Sequence, residues 1–83
     1  MNIVDVENII KLLEELIASL TSRDEINGIK TFSEFLNSIR NQQVTKKNLE
    51  LLQYNISGIQ KYGSFSKNEI EIMNEIWNIV NAY

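Results

Sequence analysis

The side chains that can do chemistry in this sequence are carboxylates, lysines, tyrosines and hydroxyls, because the chain contains neither histidine nor cysteine. Those two residue types supply the usual nucleophile and base pairs of enzymes and the common ligands of transition metals. The sequence also lacks a glycine-rich phosphate loop and the spacing of a calcium-binding loop. We therefore predict that the protein is not an enzyme and that it uses no metal and no cofactor.

Lys47, Tyr54 and Lys61 form the most suggestive polar pattern, because they are seven residues apart and so share one face of a helix. This face lies opposite Leu52 and Ile56, which makes it an outward face. An amphipathic ring flanked by lysines is typical of a contact surface for another protein. The pattern predicts that these three residues bind a protein partner. The alternative is that the lysines only solubilise the helix while Tyr54 leans over a neighbouring side chain.

The charge balance disfavours nucleic acid as a partner. The net charge is -3 and the sequence pI is about 4.8, whereas phosphate binding depends mainly on lysine and arginine. A helix-turn-helix regulator that uses residues 45–62 is the weaker alternative. The first residues are acidic rather than basic, and no apolar run approaches the roughly 18 residues that a membrane span needs. We predict a cytoplasmic protein without a membrane span.

The chain length predicts one domain over residues 1–83. At this size only about 60 to 65% of the surface of the unfolded chain can be buried. Without cysteine or histidine there is neither a disulfide nor a structural zinc, so packing, helix caps or self-association must stabilise the fold. We expect a monomer or a weak homo-oligomer.

Helical spacing of the apolar residues and the absence of proline predict an all-α protein. Four amphipathic segments follow one another with short connections, which favours an antiparallel four-helix bundle. The predicted helices are Asp5–Leu20, Arg23–Arg40 with Thr31 as a later start, a third that follows an N-cap at Thr45 and ends at Tyr62, and a fourth from Lys67.

The start of the fourth helix is the strongest local signal. Ser66 and Glu69 have the spacing of a capping box, and Phe65 and Ile70 have the spacing of a hydrophobic staple. Gly63 suits the left-handed residue that ends the preceding helix. These residues predict a tight turn between two antiparallel helices.

Two further predictions concern the second and fourth helices. Ser22 and Glu25 also have capping-box spacing and so predict a helix start, and Gly28 lies on the apolar side, where it can admit a close neighbour. In the fourth helix, Ile72 and Ile79 widen the apolar stripe beyond what we expect a small bundle to bury. They therefore predict an exposed apolar patch.

Four amphipathic helices in a short cysteine-free chain, with the segment Leu49–Gln53 in the third and Phe65–Ile70 opening the fourth, resemble the bacteriocin immunity proteins of the enterocin A immunity type. The resemblance implies a cytoplasmic four-helix bundle in a Gram-positive producer. It implies protection from the cell's own pore-forming peptide through action at a membrane receptor complex, without catalysis. The alternative is a phage- or plasmid-encoded helical inhibitor or adaptor that docks on a host protein.

Overall fold

A computed structural model of the protein describes residues 2–41, 45–62 and 65–82, apart from the side chains of residues 57 and 59–62. In these ranges the chain forms a bundle of four α-helices and no strand, which confirms the predicted all-α fold. The helices are α1 (Ile3–Ser22), α2 (Ile26–Arg40), α3 (Lys46–Tyr62) and α4 (Lys67–Asn81). Gly63, which the sequence predicts as the left-handed residue that ends the third helix, lies outside the described residues, as does Tyr83.

Helix α1 lies against both α2 and α4, and α4 lies also against α3. Gly28 in α2 faces the side chain of Leu20, and Glu69 in α4 bonds Arg23 just after α1. The end of α1 therefore lies beside the starts of α2 and α4, which makes both pairs antiparallel. Among the described residues α2 and α3 share far fewer contacts, so the bundle is open between these two helices.

All four helices contribute to one buried apolar cluster, and burial of such surface stabilises the fold by about 25 cal/mol per Å². Its members are Ile9, Leu13, Leu16, Leu20, Phe32, Leu36, Ile39, Leu52, Ile56, Ile72, Met73, Ile76 and Val80. The expected exposed patch on α4 is wrong: Ile72 is only 8% exposed and Ile79 packs partly buried on the cluster. The reason is that α4 lies between α1 and α3 and so has both flanks covered.

Side-chain caps fix the starts of α1 and α3. Asn2 precedes α1, and its Oδ1 accepts from the backbone N–H of Asp5 at 2.9 Å, so α1 begins earlier than the predicted Asp5. Thr45 precedes α3, and its hydroxyl accepts from the N–H of Asn48 at 3.2 Å. The predicted cap at Thr45 is therefore confirmed.

The capping box that opens α4 is also confirmed. The Ser66 hydroxyl accepts from the N–H of Glu69 at 3.1 Å, and the Glu69 carboxylate accepts from the N–H of Ser66 at 2.9 Å. Phe65 and Ile70, the predicted staple residues, are both partly buried against the apolar cluster. Local sequence thus decides where α4 begins.

The predicted capping box of Ser22 and Glu25 is wrong. Ser22 is the last residue of α1, and its hydroxyl donates to the carbonyl of Ser19 at 2.6 Å instead of capping α2. Glu25 precedes α2, but its side chain makes no capping hydrogen bond to the amides at that start. Helix α2 therefore begins at Ile26, which is neither of the two predicted starts.

The chain leaves α1 through a left-handed residue, which explains the difference. Asp24 has a φ of 56°, its N–H donates to the carbonyl of Thr21 at 3.3 Å, and the N–H of Glu25 donates to the carbonyl of Leu20 at 3.0 Å. These two bonds form a Schellman motif, which satisfies carbonyls at the end of α1. Backbone hydrogen bonds thus occupy the segment that a capping box would need.

Candidate protein-interaction surface

The outward side of α3 carries the residues that the sequence predicted as a contact surface. Lys47 is exposed and Tyr54 is 78% exposed, so neighbouring side chains cover little of the Tyr54 ring. Lys61 lies in the same helix, seven residues further on, but its side chain is outside the described part. We call these three positions, together with Leu51, the α3 face.

Leu51 joins Lys47 to Tyr54 on this face, although sequence reasoning did not assign it to the surface. It is 44% exposed and lies four residues after Lys47 and three before Tyr54. Residues at these spacings are neighbours on a helix. The signal was present in the sequence, because Leu51 lies about 100° around the helix from Leu52 and so beside the core stripe of α3.

Gly58 leaves the helix backbone accessible beside Tyr54. A Cβ atom built at this position would meet no atom within 4 Å, so the packing of the bundle does not require a glycine there. Glycine in a helix costs about 1 kcal/mol relative to alanine. A bare backbone next to an exposed aromatic ring lets a bound partner approach closely.

A groove of about 350 Å³ separates α2 from α3 and borders the α3 face at Leu51. Its walls are residues three, four or seven positions apart on the two helices. They are Thr31, Glu34, Phe35 and Ser38 from α2, and Asn48, Leu51 and Asn55 from α3. We call this feature the α2–α3 groove.

A second polar cluster lies at the other side of the molecule, where α1 ends and α4 begins. The carboxylate of Glu69 is fully buried, and each of its oxygens accepts two hydrogen bonds. Oε2 accepts from the Ser19 hydroxyl at 2.6 Å and from Arg23 Nε at 3.0 Å. Oε1 accepts from Arg23 Nη2 at 2.7 Å and from the Ser66 N–H at 2.9 Å.

These hydrogen bonds hold Glu69 in its ionised form. The bond from Arg23 is the main cause that lowers the pKa of Glu69 from 4.5 to about 2. Burial opposes this shift, and the hydrogen bonds from Ser19 and Ser66 lower the pKa by smaller amounts. The same bond raises the pKa of Arg23. The Arg23 guanidinium also lies 5.6 Å from the centre of the Phe65 ring, within cation–π distance.

The Glu69 cluster is structural in character, because its hydrogen-bonding capacity is used internally. Sequence reasoning assigned Glu69 to the cap of α4 but missed Ser19 and Arg23. Antiparallel topology alone places the end of α1 near the start of α4, yet it does not select which side chains meet. The cluster joins two helices and presents no reactive group.

Within residues 2–41, 45–62 and 65–82, no group of three or more carboxylates is placed to hold a metal ion. No helix in that part of the chain is long and apolar enough to cross a membrane.

Comparisons with protein-family models, with curated proteins and with solved structures find no match for this chain. The α3 face and the α2–α3 groove are therefore the features from which function must be argued.

Proposed function

We propose that the protein acts by binding another protein through the α3 face, without catalysis. The observation that carries the proposal is the exposure of Tyr54 and Leu51, two large side chains on adjacent turns that folding leaves in water. Aromatic anchors of this kind, surrounded by charged residues, dominate the binding energy of many protein interfaces. Lys47 and Lys61 lie seven residues before and after Tyr54 in the sequence, the spacing expected of charged residues at such a rim.

We propose further that this binding confers immunity to a pore-forming bacteriocin. The support is the resemblance of the Leu49–Gln53 and Phe65–Ile70 segments to the enterocin A immunity type, together with a four-helix bundle, the fold which that resemblance implies. The partner is then a membrane receptor complex that the bacteriocin targets, and the protein acts on its cytoplasmic side. A phage- or plasmid-encoded inhibitor would use the same face on a different host protein.

The test compares wild type with two variants in a bacteriocin-sensitive strain challenged with a panel of pore-forming peptides. One variant is Tyr54→Ala, and the other is the double substitution Lys47→Glu and Lys61→Glu. We expect wild type to protect against at least one peptide and both variants to lose protection. Because Lys47 and Tyr54 are exposed and Lys61 is predicted to share their face, the free energy of unfolding should change by less than about 0.5 kcal/mol.

The control is the double substitution Lys11→Glu and Lys67→Glu, which changes the net charge equally at exposed positions on α1 and α4. It should protect as wild type does. Protection by both folded α3 variants would refute the role of the α3 face. Failure of wild type to protect against any peptide, combined with specific crosslinking of Tyr54 to a host protein, would favour the inhibitor.

A further inference from the structure

The α2–α3 groove exists because α2 and α3 face each other without packing closely. Helix α2 presents Thr31, Phe35 and Ser38 along the groove, and these positions are four and three residues apart. Helix α3 presents Asn48 and Asn55 across from them. In a closed bundle, positions of this kind meet the neighbouring helix, whereas here they border about 350 Å³ of open space.

The polar lining is made of groups that accept hydrogen bonds. Glu34 is the only ionisable residue in the lining, and it is exposed. Among the described residues, no lysine or arginine nitrogen lies within 4 Å of its carboxylate. The Asn55 amide nitrogen donates to the carbonyl of Leu51 at 2.9 Å, which leaves the amide oxygen as an acceptor. The hydroxyls of Thr31 and Ser38 can accept as well as donate. A cationic donor complements this set.

The apolar lining suits a side chain with a long aliphatic stem. Phe35 is partly buried, Leu51 is 44% exposed, and the two contribute from opposite walls. Lysine and arginine lay their methylene groups along apolar surface while their charged ends stay in polar surroundings. The Phe35 ring adds an aromatic surface that attracts a cation. The groove volume of about 350 Å³ lies in the range of small ligand sites.

We infer that the α2–α3 groove binds a lysine or arginine side chain carried by an amphipathic segment of the protein partner. The inference rests on the proposed docking function and names the chemistry of the partner. Lys47 lies one turn before Leu51, so a lysine adjoins a groove whose one ionisable lining residue is Glu34. A partner must match this charge pattern, which gives specificity and fixes its orientation. Cytoplasmic loops of membrane proteins are rich in lysine and arginine and so supply such segments.

The test uses a synthetic amphipathic helical peptide of leucine, alanine and arginine, and a matched peptide with citrulline in place of arginine. Citrulline keeps the shape of arginine but has no charge. Binding is measured by fluorescence anisotropy, and the site is mapped by changes in the backbone amide NMR signals of the full chain. We expect changes over residues 31–38 and 48–55, and binding of the citrulline peptide weaker by about tenfold, as for loss of a charge-assisted hydrogen bond.

Glu34→Gln and Glu15→Gln are the matched variants, since each removes one negative charge from an exposed position. Glu34→Gln should weaken binding of the arginine peptide by about tenfold, and Glu15→Gln by less than about twofold. Equal weakening by both, equal binding of the two peptides, signal changes elsewhere, or no saturable binding at millimolar peptide would each overturn the inference. Groove signals that shift on dilution of the protein alone would assign the groove to a second copy and also overturn it.

These outcomes are independent of the protection test. If peptide binding fails while Tyr54→Ala still abolishes protection, the groove inference is wrong and the docking function stands. If the arginine peptide binds at Glu34 while wild type gives no protection, the bacteriocin role is wrong and the groove inference stands.

Discussion

Glu69 is the one charged residue that is buried among those the structure describes, and its hydrogen bonds join α1 and the residue after it to α4. A carboxylate moved out of water loses several kcal/mol of hydration, which only good geometry and multiple hydrogen bonds offset. Here Arg23, Ser19 and Ser66 supply four such bonds. A buried ion pair of this kind adds little over an apolar pair, but loss of one partner leaves the other uncompensated.

The first prediction therefore concerns Arg23. Replacement of Arg23 by Met should lower the free energy of unfolding by about 2 to 3 kcal/mol, because Glu69 then stays charged and buried without its main donor. The double variant Arg23→Met and Glu69→Met should recover at least about 1 kcal/mol of that loss, since it buries no charge. Urea denaturation followed by circular dichroism measures both. A double variant that is less stable than either single variant would contradict this interpretation.

At the scale of elements, the sequence predicts the start of a helix well where a nearby side chain caps it. It predicts the start poorly where the backbone conformation of the preceding turn determines it. The starts of α3 and α4 follow from Thr45 and from Ser66 with Glu69, which act within four residues. The start of α2 depends on Asp24, which has a φ of 56°. Aspartate adopts this left-handed conformation only occasionally, so the residue type alone does not predict it. Ser22 had the right spacing for a cap but lies inside α1.

Apolar periodicity has a similar limit. It places the core stripes of all four helices, but it does not tell which flank of a stripe a neighbour covers. Ile26 continues the stripe of α2, yet it is 73% exposed. Ile72 extends the stripe of α4 and is buried between two helices. The exposure of outward positions such as Lys47 and Tyr54 is easier to predict, since the opposite face of α3 is strongly apolar.

The second prediction compares the two described glycines, which lie in helices but have different surroundings. Gly58→Ala should raise the free energy of unfolding by about 0.5 to 1 kcal/mol, because the new methyl group meets no atom within 4 Å. Gly28→Ala should give no such gain, because its Cβ would lie 3.0 Å from Cδ1 of the fully buried Leu20. Thermal unfolding measures both variants under the same conditions.

The Gly58→Ala variant also tests whether a protein partner binds close to the backbone of the α3 face. If the protein binds its partner close to the backbone at Gly58, the alanine variant should be more stable and yet protect less than wild type. A stabilised Gly58→Ala variant with full protection would show that the partner does not approach this turn. A destabilised variant would contradict the open surroundings of Gly58.

At the scale of the whole molecule, the open side between α2 and α3 is what the sequence did not predict. Short connections and four amphipathic stripes suggest a closed ring of helices, but a small chain has few large side chains to fill every interface. Here Thr31, Ser38, Asn48 and Asn55 face the space where apolar residues would close the bundle. The candidate binding surface therefore arises from incomplete closure rather than from an inserted loop.

The last prediction is the dependence of stability on pH. The pKa of Glu69 is about 2 in the folded protein and about 4.5 in the unfolded chain, so between these values the unfolded chain binds a proton that the folded protein does not. The contribution of Glu69 is therefore complete above about pH 5 and is lost as the pH falls towards 2. At about 1.4 kcal/mol for each pKa unit, its full size is about 3.5 kcal/mol.

The measurement compares wild type with Glu69→Gln by urea denaturation from pH 6 to pH 2.5. The difference in the free energy of unfolding should be largest at pH 6 and should shrink steadily below pH 5. The reason is that acid protonates the Glu69 carboxylate of wild type, and the substitution has already removed this negative charge. Glu15→Gln controls for the loss of an exposed carboxylate and should stay within about 0.5 kcal/mol of wild type throughout. A difference for Glu69→Gln that is constant with pH would mean that Arg23 and Ser19 do not hold the ionised carboxylate in solution.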